Sequence, residues 1–317
     1  MSTTERVLVL KLGAFGDLVL ADGALQDLRA HHPQAHITLL TRAPYAALMR
    51  DCPWVDAVTV DDNRPRWRLR AMLAWRRRFL DGRYTRVYDL QNSRRTAFYR
   101  RWLVGDSAPR WSTMARNAPR DAGGVPALHA RQLMAAGVAT LHAARPTPTW
   151  IATDATALLQ RAGIDPAEPF VLLLPGASAR NTHKCWPRFA DLSQALVADG
   201  VRVITVPGPD EADLGPGYAD CVLRDGDRAV DLRRLAGIAR AAACVVGNDS
   251  GPLHLATCMG TPSVLLLDDD NPSFHASGER ARMQRLSASP LSSLPLADVA
   301  AAVRAGMHAV MRDTISR

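Results

Sequence analysis

The sequence predicts an α/β protein made of two doubly wound, parallel-sheet domains. Three observations lead there. Apolar runs of four to six residues alternate with helical patterns along the chain, and the runs lack the in–out alternation of a half-solvated strand. A strand, polar turn and helix start occur together at Val7–Leu12 with Gly13-Ala14-Phe15-Gly16, and again at Cys244–Val246 with Asn248-Asp249-Ser250-Gly251. At 317 residues the chain is long for one domain and comfortable for two.

In the first half, strand Val7–Leu12 leads to helix Asp17–His31, strand His36–Thr41, helix Pro44–Arg50 and strand Ala57–Val60. An Arg-rich helix over Trp67–Leu80 follows, then strand Arg86–Leu90 and a helix from Ser93 to Leu103. Residues 106–126 are polar and rich in Gly and Pro, so they read as a long loop. A helix over Leu128–His142 reaches Ala143-Ala144-Arg145-Pro146-Thr147-Pro148, where the prolines mark a linker. The second half repeats the alternation. Helix Thr153–Ala162, strand Phe170–Leu174, loop Pro175–Trp186, helix Pro187–Asp199 and strand Val201–Val206 come first. A short helix after Pro209, strand Cys221–Leu223, helix Asp231–Ala242, strand Cys244–Val246, helix Gly251–Met259 and strand Ser263–Leu267 complete it. A long helix over Leu296–Met311 ends the chain. The expected domains are therefore 1–148 and 149–295, with 296–317 as a terminal helical segment.

Composition narrows the function classes. Apolar residues make up 47% of the chain, enough for a full core, yet nowhere do they run together long enough to span a membrane. The first apolar run stops at Lys11, too early for a secretory signal. The five cysteines are scattered without metal-ligand spacing, a pattern of reduced thiols and a cytoplasmic setting. The net charge is +8, and residues 61–120 hold 16 arginines against five aspartates. Such a stretch is either a solvated face or a surface for anions: nucleic acid, lipid headgroups or a phosphorylated sugar. Aromatics interleave with it, but no nucleic-acid-binding motif accompanies them, which disfavours nucleic acid. Of 39 basic residues only Lys11 and Lys184 are lysine, marking places where a compact ammonium suits better than a planar fork.

Three segments carry candidate chemistry. Gly13 and Gly16 shape the first turn without the dinucleotide spacing G-x-G-x-x-G. Asp17 then either caps the helix or presents a carboxylate at the strand's carboxyl edge. In the loop from Pro175, Gly176 permits close backbone approach. Ser178 and Lys184 follow, and the lysine stands before a helix opening at Pro187, where a bound phosphate would offset its repulsion by the helix dipole. In the third segment, Ser250 and Gly251 turn backbone N–H groups toward an anion, Asp249 stands ready for sugar hydroxyls, and His254 shares a helical face with Ser250. A lone helical histidine is more often a supporting group than a catalyst.

In order and spacing these residues resemble glycosyltransferase family 9, the bacterial ADP-heptose:lipopolysaccharide heptosyltransferases. The likeness runs through Val7-Leu8-Val9-Leu10-Lys11-Leu12-Gly13-x-x-Gly16-Asp17, through Pro175-Gly176-Ala177 to Lys184-x-Trp186-Pro187, and through Asn248-Asp249-Ser250-Gly251-Pro252-x-His254-x-Ala256 with Gly260-x-Pro262. The resemblance implies the GT-B architecture, with two domains facing a cleft and the last helix crossing back to the first. It implies inverting, metal-independent transfer from a nucleotide sugar, ADP-heptose above all, with no cofactor, to a phosphorylated lipopolysaccharide-core glycan. Asp17 becomes the general base and Lys184 the diphosphate ligand. Gly176, Ser178, Glu211, Val230, Asn248, Asp249, Ser250, Gly251 and His254 surround the donor, with Glu211 on the ribose and Val230 against the adenine. Gly13 and Gly16 form the acceptor-side turn. The family setting is the inner face of the inner membrane. One departure stands out: Asp268-Asp269-Asp270 replaces a Gly-Pro-Thr-type turn, setting carboxylates where a diphosphate would be repelled. The alternatives are a transferase with another nucleotide sugar, or a non-catalytic nucleotide- or glycan-binding relative.

Overall fold

The computed structural model describes residues 4–105, 109–114, 124–176, 185–208, 211, 216–269 and 282–315, with side chains as far as 309. The chain divides into two compact units, Met1–Pro146 and Thr147–Arg317. The boundary falls within the proline-bearing segment.

The first unit holds β1 (Arg6–Leu10), β2 (His36–Arg42), β3 (Ala57–Asp61), β4 (Arg86–Asp89) and β5 (Arg110–Ser112). All pairings are parallel, in the order β3-β2-β1-β4-β5. Its helices are α1 (Phe15–Val19), α2 (Asp22–His31), α3 (Ala43–Met49), α4 (Leu69–Asp81), α5 (Arg94–Phe98) and α6 (Gly124–Ala135). A π-helical turn over Tyr99–Val104 continues α5.

Three elements differ from the sequence reading, among them α6, which runs over Gly124–Ala135 and not Leu128–His142. The helix expected over 17–31 is broken into α1 and α2, because Leu18, Val19, Leu20 and Ala21 are all buried. One straight helix with a single apolar face cannot bury four consecutive side chains. Within the expected loop 106–126, β5 forms a three-residue edge strand too short to leave a periodic signal.

In the second unit, β6 (Phe170–Leu174), β7 (Arg202–Thr205), β8 (Cys221–Val222), β9 (Cys244–Asn248), β10 (Ser263–Asp268) and β11 (Met283–Ala288) are ordered β11-β10-β9-β6-β7-β8, again all parallel. Numbered within the unit, this is the strand order 3-2-1-4-5-6 of dinucleotide-binding sheets. Helices α7 (Thr156–Arg161), α8 (Phe189–Ala198), α9 (Leu232–Ala241), α10 (Gly251–Cys258) and α11 (Leu296–Ile315) accompany it. The continuous apolar strands are explained by cover on both faces. Phe170, Leu172 and Leu174 of β6 enter one apolar cluster, while Val171 and Leu173 enter another on the opposite side. The sequence reading missed β11, whose Gln284 and Arg285 suit an edge strand.

The long terminal helix expected from the sequence is present as α11. Its Val299, Ala300, Val303 and Met307 lie in the second unit's own core with Val246, Val264 and Leu266, and the helix packs on β9, β10 and α8.

Candidate active site

A doubly wound sheet opens a crevice at the carboxyl ends of its strands where the chain's winding reverses. In the first unit this point lies between β1 and β4, in the second between β6 and β9. Both predicted turns sit there.

At the second unit's corner, Asn248 ends β9 and is fully buried. Its Nδ2 donates to the Pro175 carbonyl at 2.6 Å, and its Oδ1 accepts from the Trp186 backbone N–H at 2.9 Å. One amide therefore ties the loop after β6 at both ends to β9. The sequence reading had Asn248 touch the donor; its polar atoms instead shape the loop. The aromatic ring of Trp186 anchors the same segment, donating from Nε1 to the Leu294 carbonyl at 3.2 Å.

Ser250 is the extended N-cap of α10, with φ −140° and ψ 158°, yet its hydroxyl caps nothing. Its Oγ is buried without a hydrogen-bond partner among the described residues. Pro252 follows within the first turn, where its missing N–H leaves no gap. The other first-turn N–H groups and the positive helix end make this corner a candidate anion site. Asp249 Oδ1 lies 3.2 Å from His254 Nε2, and their side chains are only 8% and 11% exposed. The histidine thus holds the carboxylate beside the helix end.

Gly176 and Glu211 come together at this edge. A Cβ at Gly176 would collide with the Glu211 carboxylate, so any larger residue must push that carboxylate aside. Glu211 Oε2 accepts from the Gly208 N–H at 2.9 Å, which fixes it near the end of β7. Val230 is buried in the apolar cluster containing Leu223, Leu235 and Leu253. Lys184 and Ser178 lie outside the described residues.

The first unit's corner is built differently. Gly13 has φ +112°, a conformation other residues rarely adopt, and a Cβ there would come within 2.5 Å of the Tyr45 ring. Ala14 is the N-cap of α1, which makes Asp17 the third helical residue and ends its reading as a cap. Asp17 is half-buried on this five-residue helix.

Beneath it runs a polar scaffold the sequence reading did not assemble. Lys11 is buried, and its Nζ donates to the Leu90 carbonyl at 3.2 Å with His129 Nε2 at 3.5 Å. Burial pulls the Lys11 ammonium below its usual value, against the opposing pull of the Asp17 and Asp89 carboxylates. Burial also drives His129 down to about 3, with the Lys11 charge adding to the effect, so this imidazole is neutral. Asp89 is pushed up by burial despite hydrogen bonds from Thr96, Asn92 and Gln91. Gln91 Oε1 accepts from the Leu12 N–H at 2.7 Å, and Gln132 Nε2 donates to the carbonyls of Asp89 and Ser112. These bonds lock the ends of β1, β4 and β5 to α6. The signal was present in Lys11, a lysine kept in an arginine-using chain, and in the polar run Asp89-Leu90-Gln91-Asn92.

Part of the acidic triplet is accounted for. Asp268 ends β10, and its Oδ2 accepts from the Leu291 N–H at 3.2 Å, while Asp269 is exposed and Asp270 is outside the described residues. Among the described residues no group of three or more His, Cys, Asp or Glu is placed to share a metal ion.

Two doubly wound parallel sheets, each with a polar turn at its reversal point, define a two-unit α/β protein of the GT-B class. The chain belongs to glycosyltransferase family 9 (heptosyltransferase), whose model matches residues 72–293. Lipopolysaccharide heptosyltransferase 3 of Escherichia coli is 31% identical over 121 residues, covering 34% of this chain and 33% of that protein. The match therefore spans about a third of that relative's length. Among solved structures, a glycosyltransferase family 9 protein of Veillonella parvula aligns over 97% of this chain and 98% of its own, at 19% identity and TM-score 0.75. ADP-heptose lipopolysaccharide heptosyltransferase II of Escherichia coli aligns over 96% and 99%, at 18% identity and TM-score 0.70. Heptosyltransferase WaaC of Escherichia coli, solved with ADP, aligns over 95% and 99%, at 19% identity and TM-score 0.67. These likenesses establish the GT-B-type fold.

Proposed function

We propose that this chain transfers a sugar from a nucleotide donor to a phosphorylated glycan of the lipopolysaccharide-core type, with ADP-heptose as the donor. Family membership supports the reaction class. A relative of the same fold was solved with ADP-2-deoxy-2-fluoro heptose, which supports the donor. The observation that carries the reading is the corner of β9 and α10, where an uncapped helix end and a buried, unpartnered Ser250 hydroxyl await an anion.

The reaction is a single displacement with inversion and needs no metal ion. The acceptor hydroxyl gives its proton to Asp17 as its oxygen bonds to the anomeric carbon. The bond from that carbon to the diphosphate oxygen breaks on the opposite face, and ADP departs with the electron pair. Developing charge on the leaving diphosphate is met by Lys184 and the N–H groups at Ser250 and Gly251. Asp249, held by His254, accepts hydrogen bonds from donor sugar hydroxyls, while Glu211 faces the ribose and Val230 backs the adenine. Transfer takes place at the inner face of the inner membrane, with the enzyme bound peripherally.

Calorimetry with ADP tests the donor side. Lys184→Ala is expected to weaken ADP at least tenfold, about 1.4 kcal/mol; unchanged affinity removes the phosphate role. A panel of nucleotide sugars in thermal shift is expected to favour ADP-heptose, and a larger shift with a uridine or guanosine sugar replaces the donor.

A further inference from the structure

Helix α4 has two apolar faces, and only one of them is used inside the protein. Met72, Trp75 and Phe79 are buried, Trp75 stacking between Phe79 and Tyr99. On the other side Leu69 and Leu73 are 73% and 64% exposed, Leu80 is also exposed, and Trp67, just before the helix, is 80% exposed. At 100° per residue, Leu69, Leu73, Arg76 and Leu80 fall within an arc of about 60°, so the leucines form a stripe. The π-helical turn packed on α4 adds exposed Trp102.

The charge around this stripe is predominantly positive, with Asp81 at the end of α4 the acidic residue next to it. Residues 64–80 contain seven arginines and no acidic residue. Arg78 is engaged with the Val60 carbonyl, whereas Arg68, Arg70, Arg76 and Arg77 make no side-chain hydrogen bond or ion pair among the described residues. No helix of the described residues is long and apolar enough to cross a membrane. Indole and leucine side chains ringed by free guanidinium groups match the boundary between acyl chains and anionic headgroups. A second copy of the chain would bring like charges together across a two-fold axis. Nucleic acid would engage the arginines but leave three leucines in water.

We propose that the exposed face of α4, anchored by Trp67, Leu69 and Leu73 and flanked by Arg70, Arg76 and Arg77, seats the protein on the surface of an anionic lipid bilayer. This names the face for the peripheral membrane contact in the functional reading, and it rests on that reading only for which membrane is meant.

Co-sedimentation of the full chain with vesicles of phosphatidylcholine, with or without about 30% phosphatidylglycerol, tests it. Partition is expected to be at least about tenfold stronger on the anionic vesicles and to fall as salt is raised. The triple variant Trp67→Ser/Leu69→Ser/Leu73→Ser should lose about tenfold or more of that partition, with ADP affinity and melting temperature unchanged. Arg76→Gln/Arg77→Gln should weaken binding and flatten its salt dependence. Leu73→Asp alone, at an exposed site, probes the same face if the triple variant does not fold. Equal partition of variant and parent overturns the proposal. So does a dimer dissociated by these variants, or oligonucleotide binding that they abolish while vesicle binding persists. Because vesicle binding is read without turnover, failure here is distinct from failure of the transfer reaction.

Discussion

The two reversal points of the sheets share a topology and solve opposite problems. At the first, between β1 and β4, polar groups are consumed internally: Lys11 on Leu90, Gln91 on Leu12, Gln132 on Asp89 and Ser112. What this network presents is one carboxylate, Asp17, on a helix of five residues. At the second, between β6 and β9, a single amide, Asn248, does the fastening. The helix end and the Ser250 hydroxyl are left unused. The comparison teaches that one corner satisfies its polar groups internally, as a rigidly held carboxylate requires, whereas the other leaves donors unsatisfied, as a proposed anion site requires.

Four substitutions break or sharpen this contrast, from the largest expected effect to the smallest. Asp17→Asn keeps the shape of the first corner and removes the proposed base. Turnover should fall about 10³-fold while ADP affinity in calorimetry stays within about twofold; retained turnover removes the assignment. Asn248→Ala strands the buried Pro175 carbonyl and Trp186 N–H together. It should cost about 3 kcal/mol in denaturant unfolding and weaken ADP, whereas a fully stable variant would mean that the loop is held by other contacts.

The third concerns acid. His129 titrates near 3 in the folded protein against an ordinary value of 6.5. The unfolded chain therefore binds the extra proton first, and stability present above pH 6.5 is lost as pH falls from there toward 3. His129→Gln, which lacks that proton site, should flatten this acid limb by on the order of 2 kcal/mol in melts run between about pH 7 and pH 4. An unchanged acid limb would place the sensitivity elsewhere. The smallest effect belongs to Gly176→Ala. The new methyl group displaces the Glu211 carboxylate, so donor KM should rise about tenfold, or 1.4 kcal/mol, with folding intact. In a chain already carrying Glu211→Gly, the same substitution should raise KM little further, and strict additivity would mean that the two residues do not interact.

Much of this was legible in the sequence. Uninterrupted apolar strands such as Phe170–Leu174 announced parallel sheets covered on both faces, and the small-residue run from Asn248 to Gly251 announced a helix end at a strand tip. What stayed hidden was short or spread through the chain. The three residues of β5 and the polar edge strand β11 carry too little pattern to register. The break before Asp22 comes from tertiary burial of Leu18–Ala21, which local periodicity does not encode. The scaffold under Asp17 joins residues 11, 91, 129 and 132, a grouping that exists only after folding. Asn248 stood out in the sequence as a donor contact, but sequence could not say whether its amide would face outward or clasp the loop, as it does.

The interment of Lys11 has a practical consequence. With its ammonium sealed under the first turn, one of only two lysines in the chain is withheld from acylating reagents. Amine labelling of the native protein should therefore spare Lys11, and labelling at Lys184 with and without ADP, read by mass spectrometry, tests the proposed phosphate contact without a mutation.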